Sequence, residues 1–153
     1  VSYIPLCADP EDFTFLVRHE AIGHAFAKLA DENSSEANGE IPSSLISDIK
    51  AKEKYGWWSN VDFTSDPSAV KWAPFISDER YASERVGVYK GGWGYWTGIW
   101  TPSWRSIMKG NSDAFNAPSR QAIWNRVMSL SNGPDWTPSY EAFVEYDSGT
   151  TER

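Results

Sequence analysis

The chain of 153 residues, 41% apolar and 23% charged, is long enough to bury a core and is read as one globular domain over residues 1–153. Its formal net charge of −7 offers no basic face to phosphates, which argues against a nucleic-acid partner. No apolar run approaches the roughly 20 residues that cross a bilayer, and no charged-then-apolar leader precedes Val1, so a transmembrane segment is not expected.

The lone Cys7 cannot form an internal disulfide and leaves the redox compartment open. Nine Trp accompany seven Tyr and seven Phe, with clusters at Trp57-Trp58 and at Trp93, Trp96, Trp100 and Trp104. Aromatic burial under loops is the default for such clusters. Contact with a glycan through exposed Trp is the sharper alternative.

In chain order, residues 1–6 read as a short strand or extended lead-in. Asp9-Pro10-Glu11-Asp12 supplies a cap, an N1 proline and first-turn acids for a helix from about Glu11. Phe13, Leu16, Ile22, Phe26 and Leu29 give that helix an apolar stripe, and the polar run from Asp31 to Ser35 ends it. Ser43 or Ser44 can cap a second helix carrying Leu45, Ile46 and Ile49, stopped by Gly56. Asp66-Pro67 can open a further turn. Glycines and aromatics between Gly87 and Gly110 predict short strands and ordered loops. Helices return from Asn116 through Leu130, stopped by Gly133, and from Thr137-Pro138 through Tyr146. No repeat or low-complexity tract interrupts the chain.

His19 and His24 are the only histidines, both lie on the first predicted helix, and Glu20 directly follows the first. Two histidines and an adjacent glutamate on one helix form the residue set of a zinc peptidase, in which the histidines are usually four apart. Here they are five apart. At 100° per residue that spacing opens the angle between them from about 40° to about 140°, so a regular α-helix would not aim both at one metal. A π-bulge absorbs one inserted residue, and Gly23 eases that distortion.

The stretch HEAIGHAFAKLADE, with Ser106-Ile107-Met108 downstream, resembles the IgA-peptidase-like family of metzincin metallopeptidases, whose helix carries the same extra residue. The likeness extends through Tyr55-Gly56-Trp57-Trp58, the segment Asn60 to Pro67 and the segment Phe115 to Arg120. It implies that His19 and His24 bind Zn2+ and that Glu20 is the catalytic general base, taking a proton from the attacking water. Met108 is then the methionine of the Met-turn, which shapes the floor of the site without ligating the metal.

A third ligand is needed to leave zinc one open position, and without a third histidine it must be a carboxylate. Asp31 is the choice, with Glu32, Glu79 and Glu84 behind it. Asp31 lies seven residues beyond His24, about 10 Å along a straight helix, so the chain must turn back between them. Ala25 and Ala27 stand where the family makes that turn with glycines, and alanine favours continuing the helix. Ile22, Asn33, Lys90 and Gly110 also depart from the family pattern; Gly110 replaces a tyrosine that can assist at the oxyanion.

The resulting expectation is a mainly α (α+β) chain, the C-terminal part of a zincin-like domain without its N-terminal sheet subdomain. It acts as a secreted or cell-surface zinc endopeptidase on protein or peptide substrates. Two rivals stand beside it. One is an inactive remnant that binds glycans or proteins through its Trp and Tyr clusters; the other is a purely structural metal site.

Overall fold

The structure, a computed structural model, describes residues 4–5 and 9–151; Cys7 and most of the lead-in expected over residues 1–6 lie outside them. The described residues form a mixed α/β arrangement, about half helical, with one two-stranded sheet. No helix among them is long and apolar enough to cross a membrane.

Helix α1 (Pro10–Leu16) starts as its sequence dictates: the Asp9 carboxylate accepts from the backbone N–H of Glu11 at 2.7 Å and of Asp12, with Pro10 in the first turn. The helix then continues unbroken as a π-helix, Val17–Phe26. It ends at Ala27, short of the Leu29 that the apolar stripe predicts. Phe13 and Ile22, expected on the buried face, are each 36% exposed. The wide winding changes the angular period, so a stripe counted at 3.6 residues per turn drifts off the packed face. Phe15 and Phe26 pack instead with Ala27, Leu29, Ile107, Met108 and Phe115.

Helix α2 (Ser43–Glu53) matches its prediction, although Pro42 rather than a serine holds the cap position. Asp66 accepts from both the amide and the hydroxyl of Ser68, forming the expected turn. The short helix α3 (Ala73–Ser77) and the 3-10 helix Glu79–Glu84 were not foreseen. They are too short to show a period. Tertiary burial of Trp72, Phe75 and Tyr81 against Phe143 and Val144 holds them.

Strands β1 (Tyr89–Gly92) and β2 (Tyr95–Thr101) pair antiparallel, with a bulge between Lys90 and Gly92. Single bridges join the hairpin to three loops: Ser34 to Gly94, Glu40 to Thr97 and Asp62 to Trp100. After the 3-10 turn Ile107–Lys109 come helices α4 (Ala117–Asn132) and α5 (Tyr140–Thr151). Asn116 caps α4 through the Ser119 amide, and Gly133 stops it as expected. Helix α5 begins three residues after Thr137 and runs past Tyr146. Arg120 joins Glu84 and Asp147, tying α4 to the 3-10 helix and to α5.

A candidate metal centre on a π-helix

A π-helix closes its hydrogen bonds between residues five apart, so residues i and i+5 lie nearly above one another. His19 and His24 are such a pair. Their rings stand 4.8 Å apart between centroids and nearly perpendicular. The expected local bulge is thus a ten-residue wide segment, and its last bond runs from the Ala27 N–H to the Ile22 carbonyl at 2.9 Å.

The reversal that Ala25 and Ala27 were expected to resist falls one residue later. Lys28 takes the left-handed conformation, with φ of 59°. The Leu29 N–H then bonds to the Gly23 carbonyl at 2.9 Å, closing the helix end. A non-glycine residue there is strained by roughly 1–2 kcal/mol. Compensation comes from its surroundings: the Lys28 carbonyl accepts from the Trp58 N–H, its ammonium donates to the Tyr55 carbonyl, and it lies 5.5 Å from the Trp57 ring centre.

This turn returns Asp31 to the histidines. Its Oδ1 lies 3.2 Å from His19 Nε2 and 3.4 Å from His24 Nε2. One ligand atom from each of the three residues falls within 4.8 Å of the others, and no other such group occurs among the described residues. Glu32, Glu79 and Glu84, the reserve ligands, are elsewhere: Glu84 pairs with Arg120, and Glu32 points into the core.

Each imidazole is oriented through its other nitrogen. His19 Nδ1 lies 2.8 Å from the Ile107 carbonyl, and His24 Nδ1 lies 2.8 Å from the Leu29 carbonyl. A carbonyl can only accept, so both Nδ1 atoms carry the proton. In neutral histidines both Nε2 atoms then turn lone pairs toward a carboxylate oxygen. That geometry is repulsive unless a proton or a cation lies between them.

The protonation tendencies express the same relation. The hydrogen bond to Asp31 raises the His19 pKa. Burial pulls His24 down, but Asp31, the Leu29 carbonyl and the charge of Glu20 together raise it. Burial pushes Asp31 up, and the two imidazoles more than reverse this, holding it well below the usual carboxylate range. Glu20 is half-buried on the same helix, close enough for its charge to act on His24.

Beneath the pair lies Met108, fully buried in the 3-10 turn whose Ile107 carbonyl holds His19. The packing is tight at Gly23: a Cβ there would collide with the Met108 sulfur and lie 2.9 Å from its methyl carbon. Gly23 therefore serves close approach as well as winding.

The segment carrying Asp31 is fixed on both sides. The Asp31 carbonyl accepts from the Trp93 N–H and the Asn33 carbonyl from the Gly94 N–H, both at the tip of the hairpin. Asn60 bonds to both the amide and the carbonyl of Ala30, and donates to Glu32 Oε1 at 2.9 Å. Asn116 donates to both Glu32 oxygens at 3.0 Å. The Glu32 N–H reaches the Met108 carbonyl at 2.7 Å, and the Lys109 ammonium reaches the Glu32 carbonyl. Burial pushes the Glu32 carboxyl up, against the lowering pull of the two amides.

This buried Glu32, Asn60 and Asn116 cluster was not foreseen as a unit. The local signal available was the alternation Ala30-Asp31-Glu32 in an extended segment, which sends neighbouring side chains to opposite faces. No family model matches the chain, and no curated protein matches it.

Among the aromatics, Trp104 alone of the nine Trp is largely exposed, at 68%. Trp57, Trp58 and Trp93 pack as a ladder with centroid spacings of 5.4 and 4.6 Å, and Trp124 packs on Trp136 and Phe143.

Proposed function

We propose that the chain is the metal-binding part of a zinc-dependent peptidase, zincin-like in fold and similar to the IgA-peptidase-like metzincins, with His19, His24 and Asp31 as ligands and Glu20 as general base. The observation that carries this reading is the convergence of two Nε2 lone pairs and a carboxylate oxygen, held in place by contacts behind each ligand. A tetrahedron with zinc–ligand legs of about 2.0–2.1 Å has edges of about 3.3–3.4 Å. The two separations from Asp31 Oδ1, 3.2 and 3.4 Å, are close to such edges.

When bound, zinc would polarise the scissile carbonyl and stabilise developing negative charge. The chain's own residues supply the rest. The Ile107 and Leu29 carbonyls hold the imidazoles in one tautomer. Glu20 takes the proton from the attacking water and returns it to the leaving amine. Met108 sets the floor against which Gly23 and the helix rest.

Among the described residues three donors converge, which would leave one position of a zinc tetrahedron open, where a structural zinc site is closed by four. The Asp31 side chain is 44% exposed, so the open side faces solvent. The packed Trp ladder weighs against a glycan platform. By the family resemblance, the chain is assigned to secreted or cell-surface proteins with protein or peptide substrates.

The test joins metal analysis to hydrolysis. Protein purified without added metal is expected to retain zinc near one equivalent and to cleave an unstructured protein such as casein. Glu20→Gln is expected to keep the zinc and lose about 10²-fold or more in rate. Iron in place of zinc, a zinc-loaded protein that cleaves nothing, or an unimpaired Glu20→Gln variant would each overturn the assignment.

A further inference from the structure

The net charge of −7 conceals an uneven distribution. Five of the seven lysines, Lys28, Lys50, Lys52, Lys54 and Lys71, gather where the end of α2 runs into the segment 55–63. Lys71 pairs with Glu53 at 2.6 Å. The other four make no ion pair among the described residues, although the chain has 21 acidic residues against 14 basic ones.

Aromatic rings stand where acids would. Lys28 lies 5.5 Å from the Trp57 ring centre, Lys52 5.4 Å from Trp58, Lys54 5.0 Å from Tyr55 and Lys50 5.5 Å from Phe63. A ring restrains an ammonium without neutralising it, so the charge stays open to a partner while part of the ordering is already done. Complementing the negative end of the α2 dipole accounts for Lys50, Lys52 and Lys54. It does not account for Lys28, which arrives from the end of the π-helix and donates to the Tyr55 carbonyl at 2.8 Å.

The acids on α2 and the segment 55–63 are Asp48, Glu53 and Asp62. Glu53 is taken by Lys71, Asp62 accepts from the amides of Phe63 and Lys71, and Asp48 stands one turn of α2 before Lys52. Beside Lys28 and Tyr55 opens a cleft of about 340 Å³, to which Ala122 and Trp136 give apolar surface and no Asp or Glu contributes.

Positive charge beside an acid-free apolar cleft fits a polypeptide segment whose carboxylates flank an apolar residue. A glycan needs open ring faces, and the lysines already cover those of Tyr55, Trp57 and Trp58. A long polyanion would meet repulsion from the rest of a net acidic chain, which favours a short segment.

We propose that the face formed by Lys28, Lys52, Lys54 and Tyr55 docks a short acidic segment of a protein partner, whose apolar residue enters the cleft. The surface does not depend on the metal reading. Its test therefore uses protein stripped of metal by chelation and dialysis, so that neither metal binding of carboxylates nor hydrolysis contributes.

The probe is acetyl-Glu-Glu-Phe-Glu-Glu-amide, followed by the NMR backbone amide resonances of Lys28, Lys52, Lys54 and Tyr55. Saturable shifts of all four are expected, with affinity falling about fivefold or more when salt is raised to about 0.5 M. The glutamine counterpart of the peptide is expected to bind about tenfold or more weakly. The counterpart with glycine in place of phenylalanine is expected to bind about threefold or more weakly. A heparin disaccharide of like charge tests the glycan and is expected to bind as weakly as the glutamine peptide.

Lys52→Gln combined with Lys54→Gln, both exposed and checked for fold by circular dichroism, is expected to lose about the same tenfold. The Lys52→Arg, Lys54→Arg pair is expected to retain affinity, as is Lys90→Gln at the Trp96 ring on the hairpin. The ligand series on the parent protein stands without these variants. Absence of saturable shifts, equal binding of the glutamine or glycine peptide, equal or tighter binding of the disaccharide, a matching loss in Lys90→Gln, or unchanged affinity in the folded double glutamine variant would overturn the proposal.

Discussion

The π-helix and α4 are the two helices that meet beneath the site, and they reach order by different means. Helix α4 has a side-chain cap at Asn116, a proline in its first turn, a glycine stop and sixteen residues of regular winding. The π-helix has no side-chain cap of its own, buries only Gly23 within its ten residues, and exposes Ile22. One helix is held by its own sequence; the other is held by what surrounds it. The irregular winding persists because contacts to Ile107, Leu29 and Met108 fix it, and those contacts also aim the histidines.

This contrast predicts where substitutions separate metal binding from folding. The largest effect is expected from His19→Ala or His24→Ala, each lowering zinc affinity by more than about a hundredfold in chelator competition. Polar-to-alanine changes on the exposed side of α4 leave that affinity unchanged. Equal losses from both helices would erase the distinction.

Asn60→Ala comes next, at about 10- to 100-fold in zinc affinity, since it frees the segment on either side of Asp31 without touching a ligand. Asn60 is fully buried, so the same titration is read on protein shown to be folded.

Gly23→Ala is expected to cost about 1–3 kcal/mol in denaturant unfolding, because the added methyl meets Met108. Gly133→Ala at the end of α4 meets nothing within 4 Å, but φ of 86° with ψ of −173° is a conformation nearly confined to glycine, so its expected cost, also about 1–3 kcal/mol, is backbone strain that Met108→Ala leaves unchanged. A Gly23→Ala, Met108→Ala pair that shows no favourable coupling would remove the steric explanation.

The smallest effect is a pH slope whose sign depends on metal. Without metal, the raised histidine pKa values add stability below their unfolded range, and this is lost as pH rises through the folded values. Asp31, lowered by the same pair, contributes above its unfolded value and loses that contribution only in strong acid. Zinc bound at the proposed site would replace the shared protons, so the loaded protein is expected to gain stability over the pH range in which the stripped protein loses it. Thermal melts at pH 6 and pH 8, with and without zinc, check this; parallel slopes would contradict it.

Much of this arrangement is legible in the sequence because it rests on local signals. Caps at Asp9 and Asn116, glycine stops at Gly56 and Gly133, and the Gly-aromatic run over the hairpin mark their elements. The five-residue histidine spacing is itself a direct statement about winding. What local signals did not reveal rests on distant contacts. Lys28 makes the turn because Tyr55, Trp57 and Trp58 receive it, and α3 forms because Phe75 meets Tyr81 and Phe143. Glu32 is a core group because Asn60 and Asn116 arrive from 28 and 84 residues away.

The two indoles around the Asp31 segment have an optical consequence. Trp58 holds the Lys28 carbonyl and Trp93 holds the Asp31 carbonyl, while their rings meet edge-on at 4.6 Å. Coupled transitions of two such chromophores give a near-ultraviolet dichroic band that depends on their mutual angle. The segment that carries Asp31 therefore has a built-in chiroptical gauge, readable without any label.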